Sequence, residues 1–185
     1  MARAAAVQVK SRLDGDAWMA AAFDLLATDG IDGVRVELLA RKLGVTKGSF
    51  YWHFKDRDAL HGALLERWRR NATLDLIQWV EQQADPRVLF GQLLRMPCIS
   101  RLPDQTLDVE LALRLWARRD ERPAAVLQEV DELRVRHIGS LIAACGVPAE
   151  QARARAVLAY GYNRMSGRLA DEAITDLCEQ LLTMP

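Results

Sequence analysis

Apolar residues recur along the chain with the spacing of one helical face. Trp18, Ala21, Ala22, Leu25 and Leu26 fall at i, i+3, i+4, i+7 and i+8, which predicts a first helix with one buried stripe that stops at Gly30. Leu39, Ala40 and Leu43 mark a short second helix ending at Gly44. The hydroxyl of Thr46 can cap a third, very short helix. Asp56 is placed to cap a fourth, with Asp58 favourable near its positive end, and this helix runs past Trp68 towards Trp79 and Val80.

From Ala84 to Pro103 the pattern is interrupted by Pro86, Pro97 and Pro103, which predicts one short helix between bends. A helix follows over about Leu107–Arg119, and Pro123 suits the first turn of the next. Val126, Leu127, Val130, Leu133, Ile138, Leu141, Ile142 and Cys145 are expected to form the core face of that helix, with Gly146 and Pro148 as its stop. Another helix is expected from about Ala149 to Ser166. In the last, Ile174, Leu177, Cys178, Leu181 and Leu182 again fall at i, i+3, i+4, i+7 and i+8, an apolar stripe that points to assembly with a second copy. Strict alternation is absent and β-branched residues are few, so the expectation is an all-α chain of about nine helices, with no internal repeat.

Composition narrows the classes. A chain of 185 residues, half hydrophobic and 27% charged, has the make-up of a globular protein with a real core. No apolar run reaches the roughly 18 residues of a membrane span, and Gln8 and Lys10 interrupt the short apolar N-terminus, so neither a span nor a signal peptide is expected. Cys98, Cys145 and Cys178 have no metal-type spacing and read as small buried hydrophobes in a reducing cytoplasm. No metal or cofactor is expected. The net charge of zero conceals an asymmetry: residues 1–70 carry 12 Lys/Arg against 9 Asp/Glu, and residues 71–185 carry 13 against 16.

The basic end holds the informative stretch, Val36–Phe54, VELLARKLGVTKGSFYWHF. A helix-turn-helix needs a small residue where its helices cross, a glycine in the turn, and apolar residues beneath the recognition helix. Ala40, Gly44, and Leu39, Leu43, Val45 and Phe50 fill those needs in turn.

These residues resemble the tetracycline-repressor-like (TetR) family of bacterial transcription regulators. The resemblance runs from Trp18 and Gly30 through Gly44–Phe54 to Asp58-Ala59-Leu60, and is strong over about Arg12–Arg70. Beyond that, only the helical layout and Leu115-Trp116-Ala117-Arg118-Arg119-Asp120 are similar to some members. Arg35 departs from the pattern, standing where the family usually has a Ser or Thr cap, and could instead reach a phosphate. The resemblance implies a three-helix DNA-binding domain over 12–70 and a ligand-binding and dimerisation domain over 71–185.

Thr46, Lys47 and Ser49 are donors suited to base edges or phosphates, and Gly48 allows close approach to the groove. Tyr51, His53 and Lys55 resemble the family's phosphate-contacting positions; the alternative is that Tyr51 and His53 close the core around Phe54. Trp52 could pack on sugar and phosphate or touch a thymine methyl. The basic tail Arg3, Lys10 and Arg12 could follow the DNA or simply be solvated.

In the family a hydrophobic effector pocket lies among the C-terminal helices, which points to Trp79, Phe90, Met96, Trp116, His137 and Tyr160 as candidate lining, with core packing as the alternative for each. Ala152, Ala156 and Ala159 form a row of small residues on the penultimate helix. The family pairs its last two helices with those of a second subunit.

The expectation is thus a cytoplasmic, homodimeric repressor that binds a palindromic duplex and is released by a hydrophobic small molecule. The alternatives are a helical DNA-binding or interaction protein without effector, and a small helical enzyme. The enzyme reading finds no GxSxG, phosphate loop or HExxH in the chain.

Overall fold

The computed structural model describes residues 14–81, 85–99, 105–165 and 171–184. Among them the chain forms helices α1 (Gly15–Gly33), α2 (Val36–Leu43), α3 (Lys47–Phe50), α4 (Arg57–Glu81), α5 (Pro86–Ile99), α6 (Gln105–Ala117), α7 (Glu121–Ala144), α8 (Ala149–Met165) and α9 (Glu172–Thr183), and no strand. No described helix is long and apolar enough to cross a membrane. The basic tail residues Arg3, Lys10 and Arg12, together with Pro103 and Ser166, lie outside the described residues, as do the side chains of Trp79, Val80, Met96 and Cys98.

Local chemistry sets the helix ends. The Asp14 carboxylate accepts from Ala17 N at 2.9 Å, Asp56 from Ala59 N at 2.8 Å, and Asp171 from Ile174 N at 2.8 Å. Gly30 takes φ 68°, breaking α1 one turn before its end, and Gly44 takes φ 66° to close α2. Thr46 stands at the start of α3 without the expected side-chain cap; Arg35 likewise provides none for α2.

The helix after Pro86 is longer than the proline spacing predicts, continuing through Pro97 to Ile99. Pro97 has no N–H for the carbonyl of Leu93, four residues earlier. That carbonyl instead accepts from Asn163 Nδ2 of α8 at 2.8 Å, so the freed acceptor is satisfied.

Two clusters of buried side chains organise the molecule. The first joins α1, α2, Phe50 of α3 and the front of α4 to Val109, Leu113 and Trp116 of α6 and to Leu127 and Val130 of α7. Within it Trp18 meets Phe50 edge-on at 5.4 Å, locking α3 onto α1. The second joins Phe90 and Leu94 of α5 to Val135, Ile138 and Ile142 of α7 and to Ala152, Ala156 and Ala159 of α8. Helix α7 therefore runs through both cores.

One expectation is corrected here. The row of small residues on α8 packs inside the chain: Ala156 is fully buried, and Gly139 of α7 comes so near that a Cβ there would lie 3.7 Å from the Ala156 methyl. The apolar stripe of α9 is largely open: Ile174, Leu177 and Leu181 are 43%, 54% and 57% exposed, while Cys178 and Leu182 are partly buried. Val157 and Leu158 of α8 are exposed as well.

Candidate nucleic-acid interface

The short helix α3 is fastened from beneath and open above. Phe50 is fully buried between Trp18 and Phe54, with ring centroids 5.4 Å from each. The residues around it point outward. Tyr51 is 61% and Trp52 79% exposed, and Arg35, Thr46, Lys47, Gly48, His53 and Lys55 are all exposed, with Ser49 half-buried. Tyr51 and His53 therefore do not close the core around Phe54; Tyr51 only rests edge-on against Phe50 at 5.3 Å.

Thr46, Gly48, Ser49, Trp52 and His53 line one concavity of about 640 Å³. An exposed indole costs free energy in water unless something covers it, and here it stands among hydroxyl, imidazole and ammonium donors. That combination suits a nucleic-acid surface, which offers phosphate oxygens, base edges and apolar sugar faces together. Lys47 Nζ is held by Glu37 of α2 at 2.8 Å. Both groups are well exposed, so water and salt screen the pair and Lys47 can exchange it for a phosphate. Glu37 had escaped sequence reading, as no local pattern links two residues on different helices.

Arg57, at the first turn of α4, fixes the recognition unit from the side. Its Nε donates to Val34 O at 2.8 Å and its Nη2 to Ile31 O at 2.9 Å, so the link between α1 and α2 is tied to α4. Ion pairs then join this unit to the body: Asp58 with Arg122 of α7 at 2.7 Å, Asp32 with Arg119 at 2.5 Å, and Glu129 with Arg69 at 3.0 Å. These partners are distant in sequence, and single charged residues give no periodic signal.

Of the six side chains considered for an effector pocket, Trp79 and Met96 lie outside those described, and the other four are not brought together. Phe90 lies in the second core and Trp116 in the first, its Nε1 donating to Asp120 Oδ2 at 3.0 Å. His137 is half-buried on α7, and burial lowers its pKa. Tyr160 of α8 belongs to a charged cluster that sequence reading missed altogether. Glu110 of α6, 7% exposed, receives Arg114 at 2.7 Å, Arg164 at 2.8 Å and Arg134 at 3.1 Å. Asp131 receives Arg114 and, at 2.5 Å, the Tyr160 hydroxyl. Burial pushes the Glu110 carboxyl up, but the guanidiniums of Arg134, Arg164 and Arg114 outweigh it and hold the group below its ordinary value. Arg114, Asp131 and Tyr160 also line a surface groove of about 580 Å³ between α6, α7 and α8.

A short exposed recognition helix on a buried aromatic base, reached from α2 through a left-handed glycine, defines a helix-turn-helix protein with an all-helical body. Residues 19–64 match the model for bacterial regulatory proteins of the tetR family. The match lies within the N-terminal unit, α1 to α4. The chain is 41% identical over 56 residues to the class A tetracycline repressor protein from transposon 1721 of Escherichia coli, a match covering 30% of this chain and 26% of that one. The chain thus spans about a quarter of the length of the curated relatives it matches.

The whole chain shares its fold with solved regulators. A transcriptional regulator from Saccharomonospora viridis, in complex with choline, is 21% identical with a TM-score of 0.65 over 90% of this chain and 92% of that one. The regulator FadR from Bacillus subtilis, in complex with stearoyl-CoA, is 14% identical with a TM-score of 0.65 over 92% and 98%.

Proposed function

We propose that the protein is a dimeric, DNA-binding transcriptional repressor whose operator affinity is set by a small-molecule effector. The observation that carries the reading is the outward cluster of Thr46, Lys47, Ser49, Tyr51, Trp52, His53 and Lys55 on a rigid base of Trp18 and Phe50. Helix α3 enters the major groove. Thr46, Ser49 and Trp52 read base edges, and Lys47, Tyr51, His53, Lys55 and Arg35 hold phosphates. Two such units related by a two-fold axis read a palindrome with half-sites about one helical turn or slightly more apart.

The exposed apolar face of Val157, Leu158, Ile174, Leu177 and Leu181 supports dimerisation through α8 and α9. The domain division at about residue 70 falls within α4, which is one unbroken helix leading from the recognition unit into the body. Tilting α4 moves the two recognition helices out of register with successive major grooves, and an effector acts by favouring the tilted form. A hundredfold loss of operator affinity requires about 2.7 kcal/mol of differential binding. The choline and stearoyl-CoA complexes of the two structural relatives support a ligand site in the body, and the effector here is a largely apolar molecule bearing a polar group.

Salt titration of duplex binding tests the DNA contacts. Lys55→Ala is expected to weaken binding for all sequences and reduce the slope of log K against log salt by about one unit. An unchanged slope contradicts the phosphate role of Lys55.

A further inference from the structure

The first turns of α4 hold a group that the DNA contacts do not use. His61 is only 8% exposed, and its Nε2 is buried with no hydrogen-bond partner. The ring stands edge-on to Trp116 of α6, with centroids 5.3 Å apart at 71°. The carbonyl of Val34 accepts from the ring and also from Arg57. His61 therefore touches both parts of the molecule: the link between the DNA-binding helices, and helix α6 of the body.

The charged neighbours decide what a second proton would do. On its own helix the ring faces Arg57 and Asp58, and from α7 it faces Arg122. Asp58 is engaged by Arg122 at 2.7 Å, and Asp120 at the start of α7 by Arg122 at 3.1 Å and by Trp116 Nε1. A protonated ring is thus a cation enclosed with two guanidiniums, and its new N–H has no acceptor. Burial and Arg57 both favour the neutral ring, outweighing the Val34 carbonyl and Asp58.

We propose that protonation of His61 loosens the junction between the DNA-binding helices and the body, so that acidification releases the protein from its operator. The inference rests on the DNA-binding reading above and adds a trigger to it. The neutral ring is preferred in the closed junction, so the unfolded or opened state binds more protons. The stabilisation is complete above the ordinary histidine value of 6.5 and is lost as pH falls below it towards the lowered value in the closed form.

The test compares full-length wild type with His61→Phe, which keeps an aromatic edge against Trp116 but cannot titrate. Binding is measured by anisotropy on the duplex that wild type selects from a randomised pool at about pH 8, at that pH and at roughly pH 5.5, with ionic strength fixed. The Kd of wild type is expected to rise roughly tenfold more than that of His61→Phe on acidification. His61→Gln, polar and neutral, provides the same comparison if the phenylalanine variant does not fold. A DNA-free readout accompanies it: protonation of an imidazole beside Trp116 quenches indole emission in wild type and not in the variants. Equal pH dependence in wild type and both variants, with tight binding by all at the higher pH, overturns the proposal. Failure of wild type to bind any duplex at either pH removes the DNA-binding reading, and the proposal with it.

Discussion

One charged substitution, placed two residues apart on α8, is expected to have opposite consequences. Ala156 is fully buried against Gly139 of α7, whereas Leu158 is 65% exposed. In Ala156→Glu the longer side chain meets α7 at Gly139, where there is room for little more than a methyl, costing about 1–3 kcal/mol of overpacking. Its carboxylate gains no partner on the buried face, adding several kcal/mol more. The sum rivals the roughly 5–15 kcal/mol that hold a domain together, so this variant is expected to lose cooperative folding. Leu158→Glu disturbs nothing within the chain. In a two-fold dimer each partner loses one buried leucine, about 1.5–3 kcal/mol, counted twice because the interface repeats. The dimer Kd should rise by roughly two to four orders of magnitude. Sedimentation velocity at micromolar concentration, with circular dichroism on the same samples, reads both outcomes. A folded, dimeric Leu158→Glu would refute the assignment of this face, and a well-folded Ala156→Glu would refute the packing of α8 on α7.

Two further outcomes follow from the charged cluster and the exposed indole. Glu110→Gln removes the carboxylate shared by Arg114, Arg134 and Arg164 and should cost about 3 kcal/mol in urea unfolding near neutral pH. Because the folded state holds Glu110 below its ordinary 4.5, that contribution is present above this pH and lost as pH falls through the folded value, so the variant and wild type should converge in acid. Trp52→Ala is expected to change which duplexes are selected from a random pool while leaving thermal stability near wild type, since the indole is 79% exposed.

What the sequence disclosed depended on how local the physics is. Gly30, Gly44 and Asp56 act within a turn of themselves, and helix ends followed from them with little error. The outward face of Lys47–Lys55 was legible because Phe50 is the one residue of α3 with a buried partner to meet. Periodicity marks a face that needs covering but not what covers it. Ala152, Ala156 and Ala159 read as an interface between subunits and proved to be one between α7 and α8, while the stripe of α9, read from the same periodicity, lies open. Pro97 read as a break because its compensating donor, Asn163, is 70 residues away from the freed carbonyl. The same distance in sequence hid the Glu110 cluster and the setting of His61.

The central claim is that the surface built on Phe50 reads duplex DNA. Selection of duplexes from a randomised pool by the full-length protein, followed by affinity measurement for wild type and a Ser49→Ala/Tyr51→Ala/Lys55→Ala variant, tests it most directly. The account predicts enrichment of a palindrome with half-sites about one helical turn or slightly more apart. It also predicts a loss of roughly a hundredfold or more in the variant, from about 1–3 kcal/mol at each base or phosphate contact. A pool that shows no two-fold motif, or a triple variant that binds the selected duplex as tightly as wild type, would contradict it.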